Sequence, residues 1–478
     1  MTSDSAGGPG PLAAWAPPPA PLRETLEGRW VVVEPLSAER HGTDLWAAFS
    51  EDSQGLRWTY RFDGPFADGA ACQDYLARME VSPAMRFGAY RDRSTGRVAG
   101  MGALMSIMPA AGAIEVGAIM MAPAMSGTRA GTEALFLQID WAFRAGYRRM
   151  EWSCDPINAA SMRAAERLGF SYEATFRQAY VNKGRNRDKA YFAITDGDWP
   201  AIRAVMSEWL SEENFDAEGR QRRSLSAMTA PLLHARAEAV TAPETDVHGQ
   251  PADRPVPGWA PRPHPVRASM QGRYCRLEPL TVDHAEPLHE ANCTDAENRI
   301  WAWLPYGPYP SAEAYADWVG AMTLDRDPLF FAILVDDRPV GIASYLRISP
   351  RHGTIEVGHI NFSPLLQKTP AATEAMFLMM QWAFEAGNRR YEWKCNARNA
   401  GSRAAAQRYG LSYEGVFRQA TVSKGENRDT AWYAAIDSEW PAIRTAFETW
   451  LDPANFDADG RQRQRLSDLT GPILVARG

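Results

Sequence analysis

EVGHINFSPLLQKTPAATEA, residues 356–375, decides how this chain folds, and the chain carries it twice: residues 115–134 read EVGAIMMAPAMSGTRAGTEA. A half-apolar run that meets a proline and restarts with helical spacing behind a threonine reads as strand, loop and helix. Thr369 is a good N-cap, Pro370 suits the first helical position, and the small Ala371 and Ala372 follow. The first copy caps with Thr128, followed by Arg129, Ala130 and Gly131. Small side chains leave the free N–H groups of the first turn open to an anion, and the helix dipole favours the same ligand. An ordinary capped helix has the same signature, so the segment alone leaves both readings open.

Working outward, Ile114–Thr229 and Ile355–Thr470 align without a gap, with about 64 of about 116 positions identical. The period, about 241 residues, is far longer than a solenoid unit, so each copy is expected to be a complete domain. In a 478-residue chain this gives a flexible Pro/Gly/Ala-rich tail at 1–22, a domain at 23–234, a Pro-rich linker at 235–266 and a second domain at 267–478. Within each copy, antiparallel strands precede one strand–helix–strand crossover and a hairpin around KG-x-NRD (Lys183–Asp188, Lys424–Asp429). The fold class is α+β, that is mixed α/β.

Composition narrows the function. A net charge of −7 disfavours a general nucleic-acid binder. No apolar run reaches membrane-spanning length, and the start lacks the form of a secretion signal. Five scattered cysteines point to reduced thiols and a cytoplasmic location, and eight histidines without ligand spacing point away from a metal.

The ordered set of elements resembles the GNAT superfamily of acyl-CoA transferases, and within it the RimJ/RimL-type N-acetyltransferases. The marks are Glu356-Val-Gly358, the Gln367–Thr373 loop, Thr373-Glu374-Ala375, Asn399-x-x-Ser402 and Gly410. The first copy has Glu115-Val-Gly117, the Ser126–Thr132 loop, Thr132-Glu133-Ala134, Asn158-x-x-Ser161 and Gly169. One departure stands out: Pro370 and Arg129 occupy the place of the central glycine in the superfamily's pyrophosphate loop, and Pro lacks an N–H.

The resemblance implies two tandem GNAT-like domains, an internal pseudo-dimer with further homodimerisation left open. It implies acetyl-CoA as co-substrate, its pantetheine along the backbone of Asn361, Phe362 and Ser363. The diphosphate would rest on Gln367, Lys368, Thr369, Ala371, Ala372 and Thr373, or on Thr128, Arg129 and Gly131 in the first copy. Asn399 and Asn158 would hold the pantetheine amide, while Ser402 and Ser161 would protonate the departing thiolate. Asn also starts helices well, so capping is the competing role. A base must take the amine proton. Glu356 and His359 are the candidates, with Glu115 in the first copy, where Ala118 replaces the histidine and Met120 replaces Asn361. Residues three apart face opposite sides of a regular strand, so joint action needs a bulge near Gly358.

The expected function is acetyl transfer from acetyl-CoA to the primary amine of a small metabolite, in a bacterial biosynthetic or resistance pathway. Protein N-termini are the alternative acceptor, and a duplicated, non-catalytic acyl-CoA sensor or scaffold is the alternative class. The second copy is expected to dominate, because it alone has Gln367, His359 and Asn361.

Overall fold

The computed structural model describes Leu12, residues 15–246 and residues 248–478. The chain divides into two units, and each takes one segment from the other half of the sequence. Unit 1 comprises Met1–Thr175, Lys189–Pro255 and Phe417–Asp429; unit 2 comprises Phe176–Asp188, Val256–Val416 and Thr430–Gly478.

Unit 1 begins with β1 (Val31–Pro35), α1 (Ala38–Ser50) and α2 (Gly69–Glu80), then the meander β2 (Arg86–Asp92), β3 (Val98–Met108) and β4 (Ala113–Met121). The helix α3 (Arg129–Arg144), the strand β5 (Arg149–Cys154) and the helix α4 (Ala159–Arg167) follow. Next come β6 (Ser171–Asn182), which passes into unit 2 at Phe176, β7 (Arg185–Thr195), which returns to unit 1 at Lys189, and α5 (Trp199–Leu210). The sheet order is β1-β2-β3-β4-β5-β7, with β4 and β5 parallel and their neighbours antiparallel. One face carries a core of Leu45, Trp58, Tyr75, Met101 and Met120, the other a core of Ile114, Val116, Ile139, Met150 and Trp199.

Unit 2 repeats the plan with β8 (Arg276–Pro279), α6 (Ala285–Cys293), α7 (Ala312–Met322), β9 (Leu329–Val335), β10 (Arg338–Ser349) and β11 (Thr354–Phe362). It continues through α8 (Pro370–Glu385), β12 (Arg390–Asn396), α9 (Ala400–Arg408), β13 (Ser412–Ser423), β14 (Glu426–Ile436) and α10 (Trp440–Leu451). The apolar stripe Met376, Phe377, Met380 and Phe384 of α8 is buried in the core, as helical spacing requires.

The shared Thr-Glu-Ala explains how the first strand is held. Glu374 on α8 accepts the backbone N–H groups of Arg273, Tyr274 and Cys275, and Glu133 accepts those of Arg29, Trp30 and Val31. Gly28 and Gly272 are the price of that approach: a Cβ on Gly272 would lie 2.2 Å from the Glu374 carboxylate.

Part of the Pro-rich start packs against unit 1, contrary to a wholly flexible tail over 1–22. Trp15 Nε1 donates to the Gly146 carbonyl and Tyr147 Oη to that of Pro19. The linker end does likewise in unit 2, where Trp259 Nε1 donates to the Arg351 carbonyl and Arg262 N to that of Pro350. Proline-stiffened chain loses little entropy on ordering, and each tryptophan has an arginine side chain to lie on: Arg148 for Trp15 and Arg262 for Trp259.

Candidate active site

In each unit the two parallel strands part. Pairing of β11 with β12 ends at Val357–Trp393, and pairing of β4 with β5 ends at Glu115–Glu151. Beyond these points the inner edges keep unpaired backbone groups facing a cleft, which suits an extended amide-bearing chain.

A bulge lies where the strands part. The pairing of β10 with β11 shifts register between Ile342 and Ser344, opposite His359 at φ 50°; that of β3 with β4 shifts between Met101 and Ala103, opposite Ala118 at φ 51°. The bulge reverses the side-chain alternation. Ile355 and Val357 face the α8 core, and after the bulge Ile360 and Phe362 do so. Glu356, His359 and Asn361 therefore share the opposite face, under α6 and α7.

The three have different surroundings. Glu356 is 1% exposed and ion-paired, with Arg347 Nε at 2.6 Å and Lys394 Nζ at 3.7 Å. In unit 1 the corresponding residues are Ser106 and Ser153, and their hydroxyls donate to Glu115. Two cations thus face Glu356, where Glu115 has two serine hydroxyls. His359 stacks on Tyr306, with ring centroids 5.6 Å apart and Nδ1 3.1 Å from the phenolic oxygen, and it also meets Phe330. Burial, with Tyr315 and Tyr309 nearby, pushes the Tyr306 phenol well above its ordinary pKa, so it stays protonated. Its aromatic loop is held by Gly307, whose missing Cβ would lie 2.3 Å from the Trp301 ring.

Asn399 caps α9, its Oδ1 accepting from Ser402 N at 3.0 Å, and Asn158 does the same for Ser161 on α4. The serine hydroxyls face the other way: Trp393 Nε1 donates to Ser402 Oγ at 3.0 Å, and Trp152 Nε1 to Ser161 Oγ at 3.1 Å. An indole can only donate, so the serine proton is left to point elsewhere. In the sequence these tryptophans carry no mark beyond the shared Glu151-Trp-x-Cys154 and Glu392-Trp-x-Cys395 strings.

At the helix start Thr369 Oγ1 accepts from Ala372 N and Thr128 Oγ1 from Gly131 N. The first-turn N–H groups of Arg129, Ala130 and Ala371 precede any intrahelical acceptor and remain for an anion. Pro370 supplies none, and the exposed Lys368 stands beside it. Three neighbouring groups have partners of their own. Gln367 Nε2 bonds the Phe362 carbonyl, Ser363 N and Oγ both bond the Val340 carbonyl, and the Arg129 guanidinium lies about 4 Å from both the Trp30 and Phe215 rings. Thr373 Oγ1 accepts from Arg408. The KG-x-NRD motifs are turn chemistry: Asp429 Oδ1 accepts from Gln419 N and Asn427 Nδ2, and Asp188 Oδ1 from Gln178 N and Asn186 Nδ2.

Among the described residues, no group of three or more His, Cys, Asp or Glu is placed to hold a metal ion, and no helix is long and apolar enough to cross a membrane.

The acetyltransferase (GNAT) domain family matches residues 31–171 and again 275–412. The chain is similar to an uncharacterized N-acetyltransferase, YnaD, of Bacillus subtilis (strain 168), 26% identical over 147 residues, which are 30% of this chain and 85% of that protein. Among solved structures it is similar to a GCN5-related N-acetyltransferase from Brucella melitensis, with 43% identity over 45% of this chain and 99% of that one, at a TM-score of 0.44. It is also similar to a probable GNAT-family acetyltransferase from Chromobacterium violaceum, with 36% identity over 43% of this chain and 100% of that one, at a TM-score of 0.39. With its two matched domains, this chain is an acetyltransferase of the GNAT family.

Proposed function

We propose that the chain transfers an acetyl group from acetyl-CoA to the primary amine of a small molecule in the cytoplasm, chiefly at the unit 2 cleft and without a metal. Three features of unit 2 support this reading: strands that part, a bulge presenting His359, and a serine hydroxyl whose proton is left free by an indole.

The thioester supplies the acyl carbon and a thiolate leaving group. The acceptor must arrive as a free amine, so a neutral His359 imidazole takes its proton, directly or through one water. Tyr306 holds the ring in place and stays neutral itself. The amine lone pair then forms the new C–N bond as the C–S bond breaks, and the proton that the acylated nitrogen sheds replaces, through water, the one Ser402 gives to the thiolate, so the thiol leaves neutral and the serine is restored. Ser402 directs its O–H at the departing sulfur, and the nearby helix start stabilises the developing negative charge. Glu356, paired with Arg347 and Lys394, fixes the floor of the cleft and does not move protons. In unit 1 the less neutralised Glu115 takes the base role beside Ser161.

The test is acetyl-CoA-dependent thiol release over a panel of small primary amines. Turnover should appear with at least one amine and fall further in Ser402→Ala than in Ser161→Ala. Acetyl-CoA binding with no amine-dependent thiol release across the panel would contradict a small-amine acceptor.

A further inference from the structure

Within unit 2, Asn361 is 2% exposed, and neither its Nδ2 nor its Oδ1 has a hydrogen-bond partner. A buried amide left without partners is costly, so its retention calls for an occupant or a role. Its direction is fixed by the sheet. Asn361 pairs with Ile342, and Ile342 with Ala332, and both neighbours belong to the core beneath α6 and α7. Tyr309, packed against that core, has an unpartnered hydroxyl, and Asn292 on α6 has a buried and unpartnered Oδ1.

The internal repeat supplies a control. In unit 1 the aligned positions of Asn361, Asn292, Tyr309 and His359 are Met120, Phe49, Phe66 and Ala118. Unit 2 has hydrogen-bonding side chains at these four positions, while its Leu304 and Tyr306 stand where unit 1 has Arg61 and Asp63, so the two units line this place with different chemistry. Among the four, Asn361 has both polar atoms of its side chain buried and unpartnered, which points to a ligand and not to packing alone. The surroundings are aromatic: Tyr306 and Tyr309 flank Trp318, at centroid distances of 4.5 and 5.7 Å.

Resting on the acetyltransferase reading above, we infer that the unit 2 cleft selects an aromatic primary amine bearing a carboxamide or equivalent donor–acceptor edge, and that Asn361 reads that edge. The side chain offers one N–H face and one carbonyl face, which match the C=O and N–H of a second amide in a paired hydrogen bond. The acceptor's ring takes its place among the tyrosines and Trp318, where flat faces stack.

Phenylalaninamide and phenethylamine, which differ only by the carboxamide, are the probes, assayed in a Ser161→Ala background so that unit 2 is read alone. The quantity is the ratio of their kcat/KM values, compared between the Asn361 protein and Asn361→Met, so that amine basicity cancels. The ratio should fall at least about 10-fold in the variant, the usual scale for a lost buried hydrogen-bonding partner. Methionine stands at this position in unit 1, so the fold accommodates it; Asn361→Ser is the second variant, with the same fall expected. A ratio unchanged within about 2-fold in a folded variant would mean that Asn361 serves buried water or packing, and would overturn the proposal. Turnover of neither amine by a protein that binds acetyl-CoA would also overturn it. Absence of acetyl-CoA binding would instead overturn the reading on which it rests.

Discussion

Ser402 and His359 sit at the two ends of the proposed proton path, and their surroundings predict different losses. Without Ser402 the departing sulfur loses a donor, so Ser402→Ala should lower kcat while leaving acetyl-CoA affinity within a few-fold, measured by steady-state kinetics and calorimetry. Without His359 the amine must shed its proton to water, so His359→Ala should lower turnover about 10²–10⁴-fold near neutral pH. That loss should shrink as pH rises toward the acceptor's own pKa, where the amine arrives deprotonated. Glu356→Gln should show no such pH dependence, because Arg347 and Lys394 already neutralise the carboxylate. A pH–rate profile for each variant separates the two roles. Asn399, Ser402, Glu356 and His359 could be found in the sequence because each lies within a repeated string or conspicuously breaks one. The neutralising pair could not, since Arg347 and Lys394 come from strands on either side of Glu356 and meet only in the sheet.

Among the elements, the bulge and the carboxylate staples hold the site in shape. Glu374 ties α8 to three N–H groups of the first strand, so Glu374→Ala should destabilise unit 2 by about 3 kcal/mol or more in urea unfolding. A second effect is pH-dependent. Burial works to raise the Glu392 pKa, but Arg390 and Arg347 override it and bring it from 4.5 to about 2. A depressed carboxylate stabilises the folded state above its unfolded pKa and loses that contribution as pH falls through the folded one. The window is therefore about pH 5 to 2, and the contribution about 3 kcal/mol. Urea midpoints across that window should drop less steeply in Glu392→Gln. Helix caps at Thr369 and Asn399 were legible because capping is local chemistry. The bulge could only be stated as a requirement, because one extra residue on a strand leaves no local mark in the sequence.

For the whole molecule, the repeat gave the number of domains, but the exchange of segments between the halves had no sequence signal. Unit 1 needs Phe417–Asp429: buried Arg149 donates to the Arg418 carbonyl and lies 4.9 Å from the Phe417 ring, as well as pairing with Glu151 and Glu173. A fragment of residues 1–255 lacks that segment. It should be poorly folded as a monomer or recruit a second copy, which light scattering and amide exchange would report; a stable, protected monomer would contradict this. The central claim, that this chain uses acetyl-CoA at the clefts where its strands part, is tested most directly by calorimetric titration of the full chain with acetyl-CoA. Saturable binding should appear with between one and two sites per chain, and no detectable binding at millimolar ligand would contradict the account.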